Sequence, residues 1–474
     1  GNGSSVISLT AMSSGSDSGT FGLNIGGAGG AANQAGTVHV INGGVIETVG
    51  SGAHGILAQS IGGGGGNGGL SLAGSLLIGA ATNTPLISVG GAGGDGGNAN
   101  TVTVDNTGNI LTHGVRAHGI VAQSIGGGGG NANMGISASG NIVTAVASNA
   151  ISAIVGAVSS GNGGLGGEVV VNHSGDITVL GDGSQAIKAE SINGGGGSLT
   201  FDFDGIISAP GRPFAPPASG PSTDPLVSAR LGGESVSDMS GGQVTVNSSG
   251  TFGAAGNNGA GAVAQSIGGG GGTADVLLTL GVETPTPAPV PGALSALPAG
   301  PMFAPAAPVD LDFALGGVNG VNNHGAALST AHSGSILTTG TNSPGVLMQS
   351  IGGGGGRSNI GVLAPTGSLL GTVNLTLGGT NGTNETGGTV HRDQTGAVMT
   401  IGDLSPGVHL QSIGGGGGSV GLAVSGDGSL GSFTYTSLGS AGGTQLGAGA
   451  VSGSFSGGIV TAGDRAIGLL AQSI

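Results

Sequence analysis

The side chains that could act as catalysts or metal ligands are few and widely separated. The chain contains nine His, seven basic and 22 acidic residues, and no Cys. His54 and His118 occupy the same place in an Ala-His-Gly-Ile phrase, but no carboxylate or thiolate is spaced to complete a metal site with them. We therefore expect histidines in surface turns, with no metal and no cofactor.

Two acidic segments resemble the paired carboxylates of acid–base catalysis. Phe201-Asp202-Phe203-Asp204 and Asp310-Leu311-Asp312-Phe313 each place two carboxylates on one face of a strand. A polysaccharide-degrading β-helix would add Lys and Arg in the same groove, and the sequence has no such cluster. We predict solvated strand edges here and no catalytic residue.

Glycine-rich segments suggest a calcium site or a phosphate-binding loop. Residues 90–98 resemble the calcium-binding nonapeptide of toxin-type β-rolls, but the motif occurs once and Gly97 replaces the required apolar residue. The glycine runs precede residues such as Asn67 and Arg357, without the Lys-Ser/Thr of a phosphate loop. We predict neither ligand and interpret the runs as places of close backbone approach.

The most regular pattern is the phrase Gln-Ser-Ile, which recurs along the whole chain. Its copies are Gln59-Ser60-Ile61, Gln123-Ser124-Ile125, Gln265-Ser266-Ile267, Gln349-Ser350-Ile351, Gln411-Ser412-Ile413 and Gln472-Ser473-Ile474, with Glu190-Ser191-Ile192 in the third place. We predict that Gln and Ser bond to backbone groups at a corner of the fold, because buried polar groups need partners. A repeated ligand groove is the alternative.

Counting each Ile as the end of a unit divides the chain into seven repeats. The units are 1–61, 62–125, 126–192, 193–267, 268–351, 352–413 and 414–474. Each contains about five short strands in constant order and no helical period. We predict an all-β fold, an elongated right-handed parallel β-solenoid (β-helix) with coils of about 20 residues.

The length variation falls at one place in the repeat. Pro-rich insertions at 210–225 and 285–308 lengthen units four and five, and Gly426-Asp427-Gly428 indicates a hairpin-like turn in unit seven. We expect these hairpins and loops to protrude from one face and to contact other molecules.

Composition excludes several classes of function. The net charge of −15, with only seven cations, argues against nucleic-acid binding. Every apolar stretch is interrupted well before 18 residues, so no membrane span is predicted. Residues 1 and 474 stand at the same phase of the repeat, which indicates a piece of a longer protein.

The phrase Gly-Ile-Val-Ala-Gln-Ser-Ile at 119–125, followed by glycines and Asn, resembles the passenger regions of very large bacterial autotransporters. The resemblance covers essentially the whole chain. It implies type V secretion, an extracellular place on the cell surface, and a non-enzymatic structural or adhesive stalk for surface attachment or biofilm formation. The partners it implies are host or abiotic surfaces, polysaccharide or like chains. The alternatives are a self-assembling filament and a polysaccharide-active β-helix enzyme.

Overall fold

The computed structural model describes the side chains of seven segments and the backbone of further strands. The segments are 33–63, 97–127, 164–193, 240–269, 322–353, 384–415 and 447–474. Before each segment, the backbone of two more strands is described. All regular structure in this part of the chain is β-strand, and no helix occurs in it.

Each repeat contributes five strands, and each of these joins a different seven-stranded sheet. Sheet 1 consists of Gly3–Ser8, Gly68–Gly74, Gly130–Val143, Gly196–Ser208, Gly271–Gly281, Gly355–Leu363 and Gly417–Ser425. Sheet 2 consists of Gly22–Ile25, Leu86–Val89, Ile151–Val155, Val227–Leu231, Val309–Leu315, Leu369–Leu377 and Ser429–Leu438.

The other three sheets surround the core. Sheet 3 consists of Val38–Asn42, Val102–Asn106, Val169–Ser174, Val244–Ser249, Leu328–Ser333, Val390–Thr395 and Val451–Phe455. Sheet 4 consists of Ile46–Thr48, Ile110–Thr112, Ile177–Val179, Phe252–Ala254, Ile336–Thr338, Val398–Thr400 and Ile459–Thr461. Sheet 5 consists of Ile56–Ile61, Ile120–Ile125, Gln185–Ile192, Ala260–Ile267, Val346–Ile351, Val408–Ile413 and Leu469–Ser473.

All five sheets are parallel, because each strand pairs with its counterparts in the neighbouring repeats. Ile120–Ile125, for example, pairs in register with Ile56–Ile61 and with the equivalent strand of repeat three. The molecule is therefore a parallel β-solenoid of seven repeats, as predicted. One repeat makes one coil, so the prediction of 20-residue coils is wrong. At a strand spacing of about 4.8 Å, the seven coils advance about 30 Å.

The inward side chains of sheets 3, 4 and 5 form one continuous core. In Val102–Asn106, Val102 and Val104 are buried while Thr103 and Asp105 remain partly exposed. A pleated strand imposes this alternation. Val, Ile and Ala fill most of the core, because a coil of short strands has a narrow interior.

Repeat four shows how the core compensates for a change in volume. Phe252 is fully buried where the neighbouring repeats have Ile. Two other inward positions of repeat four hold Ala254 and Ala262, where repeat three has Val179 and Ile187. Large and small side chains offset each other within one coil, which preserves close packing.

Sheets 1 and 2 contain the strands that flank the variable segments. These strands bond to neighbouring repeats rather than to each other. Residues 426–428, where a hairpin-like turn is predicted, lie outside the described residues. The Pro-rich insertions 210–225 and 285–308 lie outside the described residues. The acidic pairs lie in Gly196–Ser208 and Val309–Leu315, which are interior strands, so the prediction of strand edges is wrong.

Glycine lies above glycine at two corners of the coil. The column between sheets 3 and 4 is Gly44, Gly108, Gly175, Gly250, Gly334, Gly396 and Gly457, and the column between sheets 4 and 5 is Gly50, Gly114, Gly181, Gly256, Gly340, Gly402 and Gly463. A Cβ on most of these would overlap the backbone of the preceding coil. Gly126 and Gly352, which begin glycine runs, are also crowded by a neighbouring carbonyl. This confirms close backbone approach at the start of these runs.

Gly256→Ala should destabilise the protein, because the new Cβ would overlap the carbonyl oxygen of Gly181. We expect a loss of about 1–3 kcal/mol in the free energy of unfolding, typical of overpacking. At Gly253, in the same coil, a Cβ would meet only Thr178 at 3.7 Å. Gly253→Ala is therefore the matched control and should be nearly neutral. Chemical denaturation measures both variants, and equal losses would contradict the role of the glycine columns.

Candidate functional site

The serines of the repeated phrase link sheet 5 to the segment that precedes sheet 3. In all seven repeats the hydroxyl donates to the carbonyl oxygen of the residue 24 positions earlier. For Ser266 the acceptor is Gly242, at 3.0 Å, and Ser266 Oγ also accepts the N–H of Ala326 from the next coil at 2.9 Å. In the first six repeats the hydroxyl thus joins sheet 5 to the segment before sheet 3, both in its own coil and in the following coil. The predicted bonding of Ser to backbone is confirmed.

The glutamines form a ladder parallel to the stacking axis. Gln59 donates from Nε2 to Oε1 of Gln123 at 2.6 Å, and Gln349 donates to Gln411 at 2.8 Å. The same bond joins the 265–349 and 411–472 pairs. The partners are side chains of neighbouring coils, so the prediction of backbone partners is wrong for Gln. A ladder of amides satisfies buried donors and acceptors together.

Sheet 5 is buried on both faces in the inner repeats. Every residue of Ile120–Ile125 is buried, and Ile125 and Ile267 have no exposed surface. Only in the last repeat is the Ile of the phrase largely exposed, at 62% for Ile474. The phrase is inaccessible to a ligand in the inner coils, which argues against a repeated groove there.

Repeat three replaces one amide of the ladder with a buried ion pair. Glu190 accepts from Gln123 at 2.6 Å, and its other oxygen lies 3.7 Å from Nζ of Lys188. Lys188 and Glu190 are 1% and 0% exposed. A carboxylate has no N–H to continue the ladder, and Oε1 of Gln265 in the next coil has no hydrogen-bond partner among the described residues. The ion pair therefore interrupts the ladder.

Two histidines stack at the corner between sheets 4 and 5. The rings of His54 and His118 lie 4.8 Å apart with an interplanar angle of 9°. Nδ1 of His118 accepts the N–H of Gln185 at 3.0 Å, and His118 is only 6% exposed. Burial, and secondarily the charge of Lys188, lowers the pKa of His54 to about 4. The prediction of surface-turn histidines is wrong, since the rings are neutral parts of the stack.

Polar side chains also run through the core beside sheet 3. His173 accepts from Asn106 at 2.7 Å through Nδ1 and donates from Nε2 to the carbonyl of Gly175 at 3.0 Å, which defines a neutral ring. His332 bonds through Nδ1 to Ser248 at 2.9 Å, and its buried Nε2 has no partner in the described residues. Burial is the main cause that lowers the pKa of His332 to about 4.

The core of repeat six contains a guanidinium group. Arg392 is 1% exposed and bonds through its terminal nitrogens to Thr330 and Gln394. Burial lowers its pKa to about 10. Gly453 occupies the same position in the next coil, where a Cβ would overlap the ring of Phe455. Neutral hydroxyl and amide oxygens therefore solvate this charge.

One row of hydrogen-bonded side chains has the composition of a catalytic triad: Ser452, His391 and Asp393. Ser452 Oγ lies 2.9 Å from Nδ1 of His391, and Nε2 of His391 lies 3.3 Å from Asp393. His391 and Asp393 are 47% and 55% exposed on the outer face of sheet 3. A triad activates its serine in a water-excluded site with oriented donors. Because these three side chains lie on an open, solvated sheet, we interpret them as a surface hydrogen-bond network.

The outer face of sheet 3 carries another ladder, which is open to solvent. His39 donates from Nε2 to Oδ2 of Asp105 at 2.6 Å, and Asn172 donates to Oδ1 of Asp105 at 2.8 Å. Asn247 donates to Asn172 at 3.1 Å. The hydrogen bonds from Asn172 and then His39 lower the pKa of Asp105, so its carboxylate remains ionised.

An open groove of about 390 Å³ follows this ladder at the corner between sheets 3 and 4. Coils two, three and four each contribute three consecutive residues, at 105–107, 172–174 and 247–249. The sequence signal of these residues is the phrase Asp/Asn-x-Ser/Thr-Gly, which begins at Asp105, Asn172 and Asn247.

Within the seven described segments, no three His, Asp or Glu side chains meet as a metal site. Residues 90–96 of the calcium-like segment lie outside the described residues. The described residues contain no helix with the length and apolar character of a membrane span. No family model, curated protein or solved structure matches this chain.

Lys188→Val should destabilise the protein by about 3 kcal/mol, because it leaves Glu190 buried without its cation. Val121 and Val263 occupy this position in the adjacent coils. The double variant Lys188→Val/Glu190→Gln restores an amide that can donate to Gln265 and should be at least as stable as the native chain. A double-mutant cycle of unfolding free energies tests this. A double variant as unstable as Lys188→Val would contradict it.

Stability should fall as the pH decreases from about 6.5 to about 4. In this window the unfolded chain binds protons at His54 and His332, whereas the folded chain, with both pKa values near 4, does not. The pKa shift of His332 alone corresponds to a decrease of about 3 kcal/mol in the free energy of unfolding across this window. Urea denaturation at successive pH values should show this slope, and His332→Asn should reduce it. An unchanged slope would contradict the neutral core histidine.

Glu385 should act in the opposite direction. Burial raises its pKa to about 7, so the folded chain retains a proton that the unfolded chain releases near pH 4.5. Its contribution therefore decreases as the pH rises from about 4.5 to about 7. In the same titration, Glu385→Gln should stabilise the protein at pH 8 and change little at pH 4.

Proposed function

We propose that this chain is a non-enzymatic structural and adhesive segment of a bacterial cell-surface fibre or stalk, exported as an autotransporter passenger. The observation that supports this most is that the repeated polar residues join one coil to the next. Gln and Ser of the recurring phrase bond between coils along the stack. These side chains stabilise the contact between neighbouring repeats, and a fibre depends on that contact.

The exposed surface is suited to contact rather than to catalysis. The outer face of sheet 3 presents Asp, Asn, Ser and Thr in rows, and its His–carboxylate pairs are solvated. A net charge of −15 keeps such a chain soluble and limits association between copies. Rows of weak contacts repeated along a fibre produce strong attachment through multivalency.

The proposal predicts attachment without turnover. Beads coated with the chain should be retained several-fold more on abiotic or polysaccharide-coated surfaces than beads coated with Gly256→Ala/Gly340→Ala, whose stack is disrupted. Incubation with the same polysaccharides should release no new reducing ends. Equal retention of the two bead types, or release of sugar, would contradict the proposal.

Sedimentation velocity of the same protein separates attachment from self-association. A single species at all concentrations is the expected result. Growth of the particles with concentration would instead favour the filament alternative.

A further inference from the structure

The groove beside sheet 3 contains hydrogen-bonding groups that the stack leaves free. The turn hydroxyls of Thr107, Ser174 and Ser249 make no hydrogen bond within the part of the chain that the structure describes. Thr107 and Ser174 are exposed, and Ser249 is half-buried. Each hydroxyl therefore offers one donor and acceptor lone pairs to a ligand.

The ladder in this groove also has unused capacity. Asn172 and Asn247 each use one amide N–H between coils, and an amide carries two. The ladder fixes the orientation of both amides, so a ligand would bind preorganised groups. Ile41 and Ala331 replace the polar residue in coils one and five, which limits the polar row to three coils.

The chemistry of the groove restricts its ligand. Donors and acceptors alternate along the axis at the strand spacing, so the ligand must be extended and carry hydroxyl groups at regular intervals. The ionised Asp105, without a cationic residue in the lining, repels an anionic polymer. No aromatic residue other than His173 lines the groove, and that ring is bonded into the core. Stacking of nucleobases is therefore disfavoured.

We propose that this groove binds a short stretch of an extended, neutral glycan whose chain runs along the stacking axis. Sugar hydroxyls bond to the amides of Asn172 and Asn247 and to the turn hydroxyls of the same coils. The groove spans three coils, about 10 Å between its outer strands, enough for a few sugar residues. This inference rests on the proposed adhesive function and names its ligand class.

The test is a calorimetric titration of the whole chain with hexasaccharides of β-1,4-glucan, β-1,3-glucan and α-1,4-glucan. At least one should bind. Asn172→Ala/Asn247→Ala should weaken this binding about tenfold or more, because each lost hydrogen bond corresponds to about three- to tenfold in affinity. Ser452→Ala/Ser454→Ala, on the same sheet in coil seven, is the matched control and should bind as the native chain does.

A second variant tests the groove without removing any hydrogen bond of the ladder. Ser174→Ala/Ser249→Ala removes two free hydroxyls without breaking a bond within the protein, and it should also weaken binding. No binding of any hexasaccharide, or native affinity in both groove variants, would overturn the inference. If coated beads are then still retained on surfaces, the proposed function stands and the contact lies elsewhere. If retention also fails, the proposed function falls with it.

Discussion

The spacing between parallel strands is the constraint on which the rest of this structure depends. Each strand residue of sheets 3, 4 and 5 lies about 4.8 Å from its equivalent in the next coil, in register through all seven repeats. At the corners of the coil, only residues that can stack on an identical residue at this distance are accommodated. Glycine columns, a serine that bonds to two coils and a ladder of amides all satisfy that condition.

The same constraint explains how the repeats diverge. A change in volume at one position is offset in the same coil, as with Phe252 beside two alanines. Stacking also constrains the backbone conformation of the turns. In the turn before sheet 5, Leu404 has a φ of 55°, matching Asn258 and Asn342 at 56° and 53° in other coils. A leucine rarely adopts this left-handed conformation, so the stacked turns must stabilise it.

Much of the fold could be predicted from the sequence because the recurring phrase Gln-Ser-Ile marks the end of each repeat. The alternation at 101–104 places the strand Val102–Asn106, and the constant order of segments gives five strands per repeat. The number of coils could not be predicted, since short strands separated by turns fit one long coil as well as several short ones. Only pairing distinguishes them, and pairing joins residues more than 60 positions apart.

The candidate site was harder to predict for the same reason. Asp105, Asn172 and Asn247 look like ordinary turn residues within their own repeats. Their row appears only when three coils are stacked. The burial of His118 is equally invisible within one repeat, because its ring stacks on His54 of the neighbouring coil. Features within one coil can therefore be predicted from the sequence, whereas contacts between coils cannot.

A distance between the first and last coils tests the central claim most directly. The chain has no Cys, so Glu47→Cys/Val460→Cys introduces two spin labels on exposed positions of one column in sheet 4. Pulsed electron paramagnetic resonance should give a single distance near 30 Å, six strand spacings along the axis. A separation near 90 Å, expected for three coils per repeat, would contradict the account.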